Sequence, residues 1–245
     1  MIRRLARAAG RAIGWPAPPD YRAVLFDELR AYLAGRRPSR IVEIGPKDGV
    51  DTRRLLGLEP KQLTLIDLPR AEAANRVWLA RIDSPAIEYI SANLMYSDVV
   101  RALPPYDLVW CTGVLYHNPE QLRMIRLLHD LLMPGGVLVL ESATTRNPRL
   151  RDASCVEILY PPSAALKRKY HISANITHLP SARAIAAWLQ MVGFDEVMTS
   201  RCHRPVSRAL ALARAAFIAT RPVERRASVY YTLGQDDGYE IGRSL

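Results

Sequence analysis

In the run Arg40-Ile41-Val42-Glu43-Ile44-Gly45-Pro46-Lys47-Asp48-Gly49-Val50, a carboxylate lies inside an apolar stretch and two glycines follow it at once. Glycines at 45 and 49 let a backbone pass close to a ligand, and Glu43 can accept hydrogen bonds from backbone donors or from a ligand amine. The spacing is G-x-x-x-G. It is neither the G-x-G-x-x-G of dinucleotide sites nor the G-K-[ST] ending of a phosphate-binding loop, so a nucleoside triphosphate is disfavoured. Asp67 closes the apolar run QLTLID, where an acidic side chain meets the two hydroxyls of a ribose. Asn93 closes AIEYISAN, where an amide meets an adenine edge. Each alone is more often a turn or helix cap. At the ends of three consecutive strands they describe an adenosine site.

A second set follows the fourth apolar run, YDLVWCTG. His117 supplies an imidazole, the side chain whose unperturbed pKa of about 6.5 suits a general base; its plainer role is to hold the loop at a helix entry. Tyr116 beside it orients a bound reactant or simply packs. Tyr160, Lys167-Arg168-Lys169, Tyr170, His171 and His178 form a further group that either clamps an anionic acceptor or is a solvated loop. Trp188 and Met191 fall on the apolar face of a helical stretch and belong to the core. Cys111, Cys155 and Cys202 are far apart with no metal-ligand spacing, so no zinc is expected and a reducing compartment is.

The elements that must position these residues alternate. Apolar runs RIVEIG, QLTLIDL, AIEYISANL, YDLVWCTG and GGVLVLES read as strands, separated by segments of helical period, with FDEVMTSR and RAAFIATRP as two more strands. The pattern predicts an α/β fold: a Rossmann-like, seven-stranded, mostly parallel sheet with helices on both faces. Asn118, Pro119 and Gln121 punctuate the start of one helix and Pro134-Gly135-Gly136 its end. Residues 143–180 contain no convincing strand and are expected to be an insertion covering the site. Residues 1–37 are expected to be a helical extension, 38–222 the main domain, and 223–245 a polar tail.

Thirty-four Lys and Arg against 24 Asp and Glu give a net charge of +10. Nine Arg lie between Met1 and Arg40 and seven between Arg201 and Arg226. RNA, phosphorylated substrates or an anionic membrane surface are therefore admissible partners, while solvated helical faces are the plainer account. Arg7 and Arg11 interrupt what would be the apolar part of a signal peptide, and no run of about 18 apolar residues spans a bilayer. A cytoplasmic protein is expected.

The segment from Glu43 to Gly49, with Asp67, Asn93 and the run from Tyr106 to Ser142, resembles the successive motifs of class I S-adenosylmethionine-dependent methyltransferases over roughly residues 38–221. Within them GVLYHNPEQLRMIRLLHDLLMPGGVLVLES and LPSARAIAAWLQMVGFDEV are similar to the enzymes that carboxymethylate the tRNA wobble uridine from carboxy-S-adenosylmethionine. The resemblance implies that Glu43, Gly45 and Gly49 bind the cofactor, with the two glycines cradling its methionine part. It also implies that Asp67 with Leu68 holds the ribose, that Asn93 with Leu94 flanks the adenine, and that Cys111, Thr112 and Gly113 line the cleft. Lys47 stands where the commoner motif has its middle glycine and is expected to bind the cofactor, its side chain turned to the methionine carboxylate or else to water, and Asn93 replaces the usual acidic residue. Tyr116 matches the carboxylate-recognising tyrosine of the tRNA enzymes, but their basic partners and their substantial N-terminal region have no counterpart in the sequence pattern.

Three functions remain open on these grounds. The first is an S-adenosylmethionine-dependent methyltransferase, O-directed, on a small-molecule or glycan acceptor. The second is a tRNA methyl or carboxymethyl transferase. The third is a non-catalytic basic binding module on the same fold.

Overall fold

A computed structural model describes residues 20–145, 147, 149–150, 152–160, 163–165, 177–203 and 214–224. Residues 1–19 of the expected helical extension, the cluster Lys167-Arg168-Lys169 with Tyr170 and His171, and residues 225–245 lie outside the described residues.

Helix α1 (Tyr21–Leu33) starts at Asp20, whose carboxylate accepts from the Arg22 amide, and ends at Ala34 in the left-handed conformation. There follow β1 (Arg40–Ile44), α2 (Val50–Leu56), β2 (Gln62–Asp67), α3 (Glu72–Leu79), β3 (Ile87–Ser91), α4 (Asp98–Arg101) and β4 (Tyr106–Thr112). Then come α5 (Gln121–Asp130), β5 (Leu132–Ala143), β6 (Val156–Leu159), β7 (Thr177–Pro180), α6 (Ala182–Val192), β8 (Asp195–Thr199) and β9 (Arg214–Thr220). Seven strands form one sheet in the order β3-β2-β1-β4-β5-β9-β8. The first five are parallel, and β9 enters antiparallel between β5 and β8.

Apolar residues on both faces of the central strands explain the two layers of helices. On one face Val42, Val109, Leu138 and Phe217 pack with Met124, Leu128, Ile185 and Leu189 of α5 and α6. On the other, Ile41, Leu65, Trp110 and Val139 pack with Leu25 and Leu29 of α1 and Leu55 of α2. Helix α1 is further fastened to the far edge of the sheet. Buried Glu28 accepts from the Ser200 hydroxyl and from the Arg201 amide and guanidinium, and the Tyr32 hydroxyl meets Glu196 and Thr220.

Three expectations are corrected. Pro134-Gly135-Gly136 lies inside β5, after the helix has ended at Asp130; the Gly135 amide bonds Arg221 and the pairing with β4 shifts register between Tyr106 and Leu108. The segment 143–180 does contain strands, since β6 and β7 form a two-stranded antiparallel ribbon. Asn118 does not cap α5 directly: its side chain accepts from the Glu120 amide, and Glu120 precedes the first helical residue. Among the described residues no helix is long and apolar enough to cross a membrane.

Candidate donor and acceptor cleft

At the carboxyl ends of the parallel strands a cleft of about 880 Å³ opens, where ligands bind in open α/β sheets. Gly45, Lys47, Asp67, Leu68, Asn93, Leu94, Thr112, Gly113, Tyr116 and His117 all line it. Glu43, Gly49 and Cys111 do not.

Gly45 follows β1 with φ of +72°, and a Cβ there would stand 2.7 Å from Val114. Only glycine lets the loop after β1 touch the loop after β4 this closely. Gly49 serves the helix: it is the left-handed residue before α2, and the Trp78 ring fills the place its Cβ would take. The Trp78 indole donates to the Lys47 carbonyl at 3.0 Å and to Asn75 Oδ1 at 3.2 Å. Asn75 in turn donates to Asp67 Oδ2 at 2.9 Å, while Asp67 Oδ1 accepts from the Leu68 amide at 2.7 Å. A chain of hydrogen bonds thus links the glycine loop to a carboxylate held in one orientation at the end of β2. Its remaining lone pairs suit a vicinal diol. Lys47 itself is exposed, with left-handed backbone.

Glu43 is turned away from the cleft and is 2% exposed. Thr52 donates to it at 2.6 Å, and burial pushes its pKa up to about 8, with nearby Asp51 adding to the effect. Cys111 is fully buried, and burial raises its thiol above the ordinary range. The Asn93 oxygen accepts from the Met95 amide at 2.9 Å, so it shapes the turn after β3 while its amide group borders the cleft.

The other wall holds residues outside the sequence-derived set: Tyr21, Arg22 and Arg214. Arg214 donates through Nε and Nη2 to both oxygens of the fully buried Glu141. Its guanidinium carbon lies 5.6 Å from the Tyr21 ring centre and 5.5 Å from that of Tyr116. Burial raises the pKa of both phenols, so they remain neutral donors. Tyr116 and His117 fall in a single 3-10 turn, their rings 4.0 Å apart, and Leu179 and Leu159 of the ribbon pack on Tyr116. His178 sits on β7 and is not among the cleft residues. Tyr160 follows the last residue of β6 and is exposed. One signal in the sequence pointed to Arg214: it is the first residue of the last apolar run. In an antiparallel strand that position returns to the edge where the parallel strands end.

A family model described as "Methyltransferase domain" matches residues 20–199. A tRNA U34 carboxymethyltransferase of Chromohalobacter salexigens is 30% identical over 180 residues, covering 70% of this chain and 49% of that protein. The one from Desulforapulum autotrophicum is 36% identical over 182 residues, covering 71% and 50%. The chain spans about half the length of the curated relatives it matches. Among solved structures, an S-adenosylmethionine-dependent methyltransferase from Mesorhizobium loti superposes with a TM-score of 0.59 at 18% identity over 81% of this chain and 98% of that one. The N-methyltransferase NodS from Bradyrhizobium japonicum, in complex with S-adenosyl-L-homocysteine, gives 0.58 at 22% identity over 83% and 88%.

Proposed function

The chain belongs to the class I S-adenosylmethionine-dependent methyltransferases, and we propose that it methylates a hydroxyl of a small-molecule or saccharide acceptor seated against Tyr116 and His117. The observation that carries this reading is that one cleft holds both sets of residues. Asp67 and Asn93 border one end of it and Tyr116 with His117 the other, and its volume lies in the upper part of the roughly 300–1,000 Å³ common for small-molecule sites. The donor supplies an electrophilic methyl group on a sulfonium, and in-line displacement makes positioning the main task of the protein. Asp67, kept in place by Asn75 and the Leu68 amide, accepts from the ribose hydroxyls, and the backbone at Gly45 lies against the sulfur. Tyr116, backed by Leu179 of the ribbon, orients the acceptor and helps to exclude water. His117 takes the hydroxyl proton. Residues 38–222 form the catalytic domain in this reading, with the ribbon as its insertion.

Mass spectrometry of small molecules that co-purify with the protein identifies donor and acceptor. With that acceptor, His117→Ala should lower turnover by about a hundredfold or more while leaving S-adenosylhomocysteine affinity unchanged. Asp67→Ala should instead weaken that affinity by about tenfold to a hundredfold. Unchanged turnover in His117→Ala would remove it as the base.

A second reading, carboxymethyl transfer to a tRNA uridine, is favoured by Arg214. Its guanidinium beside Tyr116 supplies the basic partner that the sequence pattern lacked for a carboxylate on the donor. The curated relatives share this activity by name. Calorimetry separates the two: binding of carboxy-S-adenosylmethionine at least tenfold tighter than S-adenosylmethionine supports the second reading, and equal or weaker binding supports the first.

A further inference from the structure

We propose that Gln121 is a positioning residue for the transfer, its side-chain amide fastening the turn that carries Tyr116 and His117 to β7 of the ribbon. This rests on the acceptor reading given above, in which those two side chains face the acceptor. Gln121 is the first residue of α5, is 3% exposed and does not border the cleft. Its side chain reaches back past the start of the helix. Nε2 donates to the Leu115 carbonyl at 3.3 Å and to the His178 carbonyl at 3.0 Å, one acceptor for each N–H that a side-chain amide carries.

Both carbonyls stand where a shift would reach the site. Leu115 opens the 3-10 turn Leu115–His117, and the Asn118 amide donates to the same oxygen at 3.0 Å. Displacing that carbonyl therefore moves Tyr116 and His117 together. The carbonyls of His178 and Pro180 belong to alternate residues of β7 and so lie on one edge of it. That edge is served from outside the β6–β7 pairing, by Gln121 at His178 and by the Thr145 amide at Pro180. Between the two, Leu179 packs on Tyr116. The ribbon thus holds the turn twice, by an apolar contact at Tyr116 and by a buried amide that bonds both segments. Without the amide the His178 carbonyl loses its Gln121 donor in a place shielded from water, a costly state that the chain relieves by shifting one segment away from the other.

Imidazole NMR of the full chain, with its histidines labelled at Cε1, tests the fastening with no ligand present. His117 and His178 lie on the two fastened segments, whereas His129, buried on α5 edge-on to Phe194, reports whether the helix is intact. Gln121→Met keeps the length and removes both donors. The signals of His117 and His178 should move in this variant, while that of His129 and the S-adenosylhomocysteine affinity measured by calorimetry stay at their wild-type values. With the co-purifying acceptor, kcat should fall about tenfold to a hundredfold and the KM for S-adenosylmethionine should not change, because a misplaced base slows the chemistry and leaves the donor end alone. Gln121→Asn, its amide one methylene too short to bond both carbonyls, should repeat this pattern and decides the question if Gln121→Met does not fold. An unmoved His117 signal, or a lower melting temperature with kcat unchanged, overturns the proposal. Loss of S-adenosylhomocysteine affinity in step with kcat overturns it too, since the defect would then be general. Failure of the acceptor reading looks different: His117→Ala keeps full turnover, and the role of Gln121 in transfer falls with it whatever the histidine signals show.

Discussion

A carboxylic acid that keeps its proton at neutral pH has a measurable signature, and Glu43 is such a group. Burial raises its pKa from an ordinary carboxylate value to about 8, so between about pH 4.5 and 8 the folded chain binds a proton that the unfolded chain has released. Stability linked to this residue is therefore full below the unfolded pKa and declines as pH rises through the folded one, by up to about 1.4 kcal/mol per pH unit. Glu43→Gln keeps the hydrogen bond with Thr52 and removes the titration. Denaturant melts from pH 5 to 8 should show a flatter stability profile for this variant than for the wild type; parallel profiles would mean that Glu43 is ionised in the fold. The residue was legible as unusual from its apolar neighbours alone. Its direction was not, because β1 is buried on both faces and alternation cannot say which side chain meets the cleft.

At the scale of elements, the loop between β1 and α2 divides its two glycines between two duties. Gly45 allows contact with the loop after β4, and Gly49 allows contact with Trp78 on α3. Gly49→Ala must place a methyl group inside the Trp78 ring position in a left-handed backbone, at a cost of about 1–3 kcal/mol for the conformation and more for the overlap. A melting temperature several degrees lower and an altered Trp78 fluorescence should follow; an unchanged melt would show that α3 slides away freely. The regular alternation of strand and helix was readable because each central strand carries a near-continuous apolar run. The β6–β7 ribbon was not, since each of its strands spans only Val156–Leu159 or Thr177–Pro180 and each depends on the other for pairing. Pro134-Gly135-Gly136 misled for a related reason. Turn residues mark a bend in β5 that only the register with β4 and the contact with Arg221 reveal. Tyr21 and Arg22 join the cleft because Glu28 and Tyr32 fix α1 against β8 and β9, an arrangement invisible to any window of local sequence.

For the whole molecule, the net charge of +10 bears on the choice of acceptor. If tRNA is the substrate, affinity for total tRNA should fall by orders of magnitude between about 50 and 200 mM salt, as phosphate contacts exchange with counterions. Absence of binding at the lower salt would count against the tRNA reading and leave the small-molecule acceptor. The same molecule-wide view explains why the site was only half legible. Asp67, Asn93 and the glycine loop lie within one continuous half of the chain, whereas Arg22 and Arg214 reach the cleft from residues far apart in sequence.

The fastening of α1 to the last strands also sets an order of events during synthesis. Glu28 meets Ser200 across 172 residues and Tyr32 meets Thr220 across 188. A nascent chain that has emerged only as far as β5 already holds the adenosine end of the cleft. It has neither Arg214 nor the residues that fasten α1 to the last strands. Contacts of such long range form late because their loop closure must come first. Ligand binding stabilises only states that contain the complete site. The donor therefore protects finished molecules more than arrested fragments, which are left more open to removal by quality control.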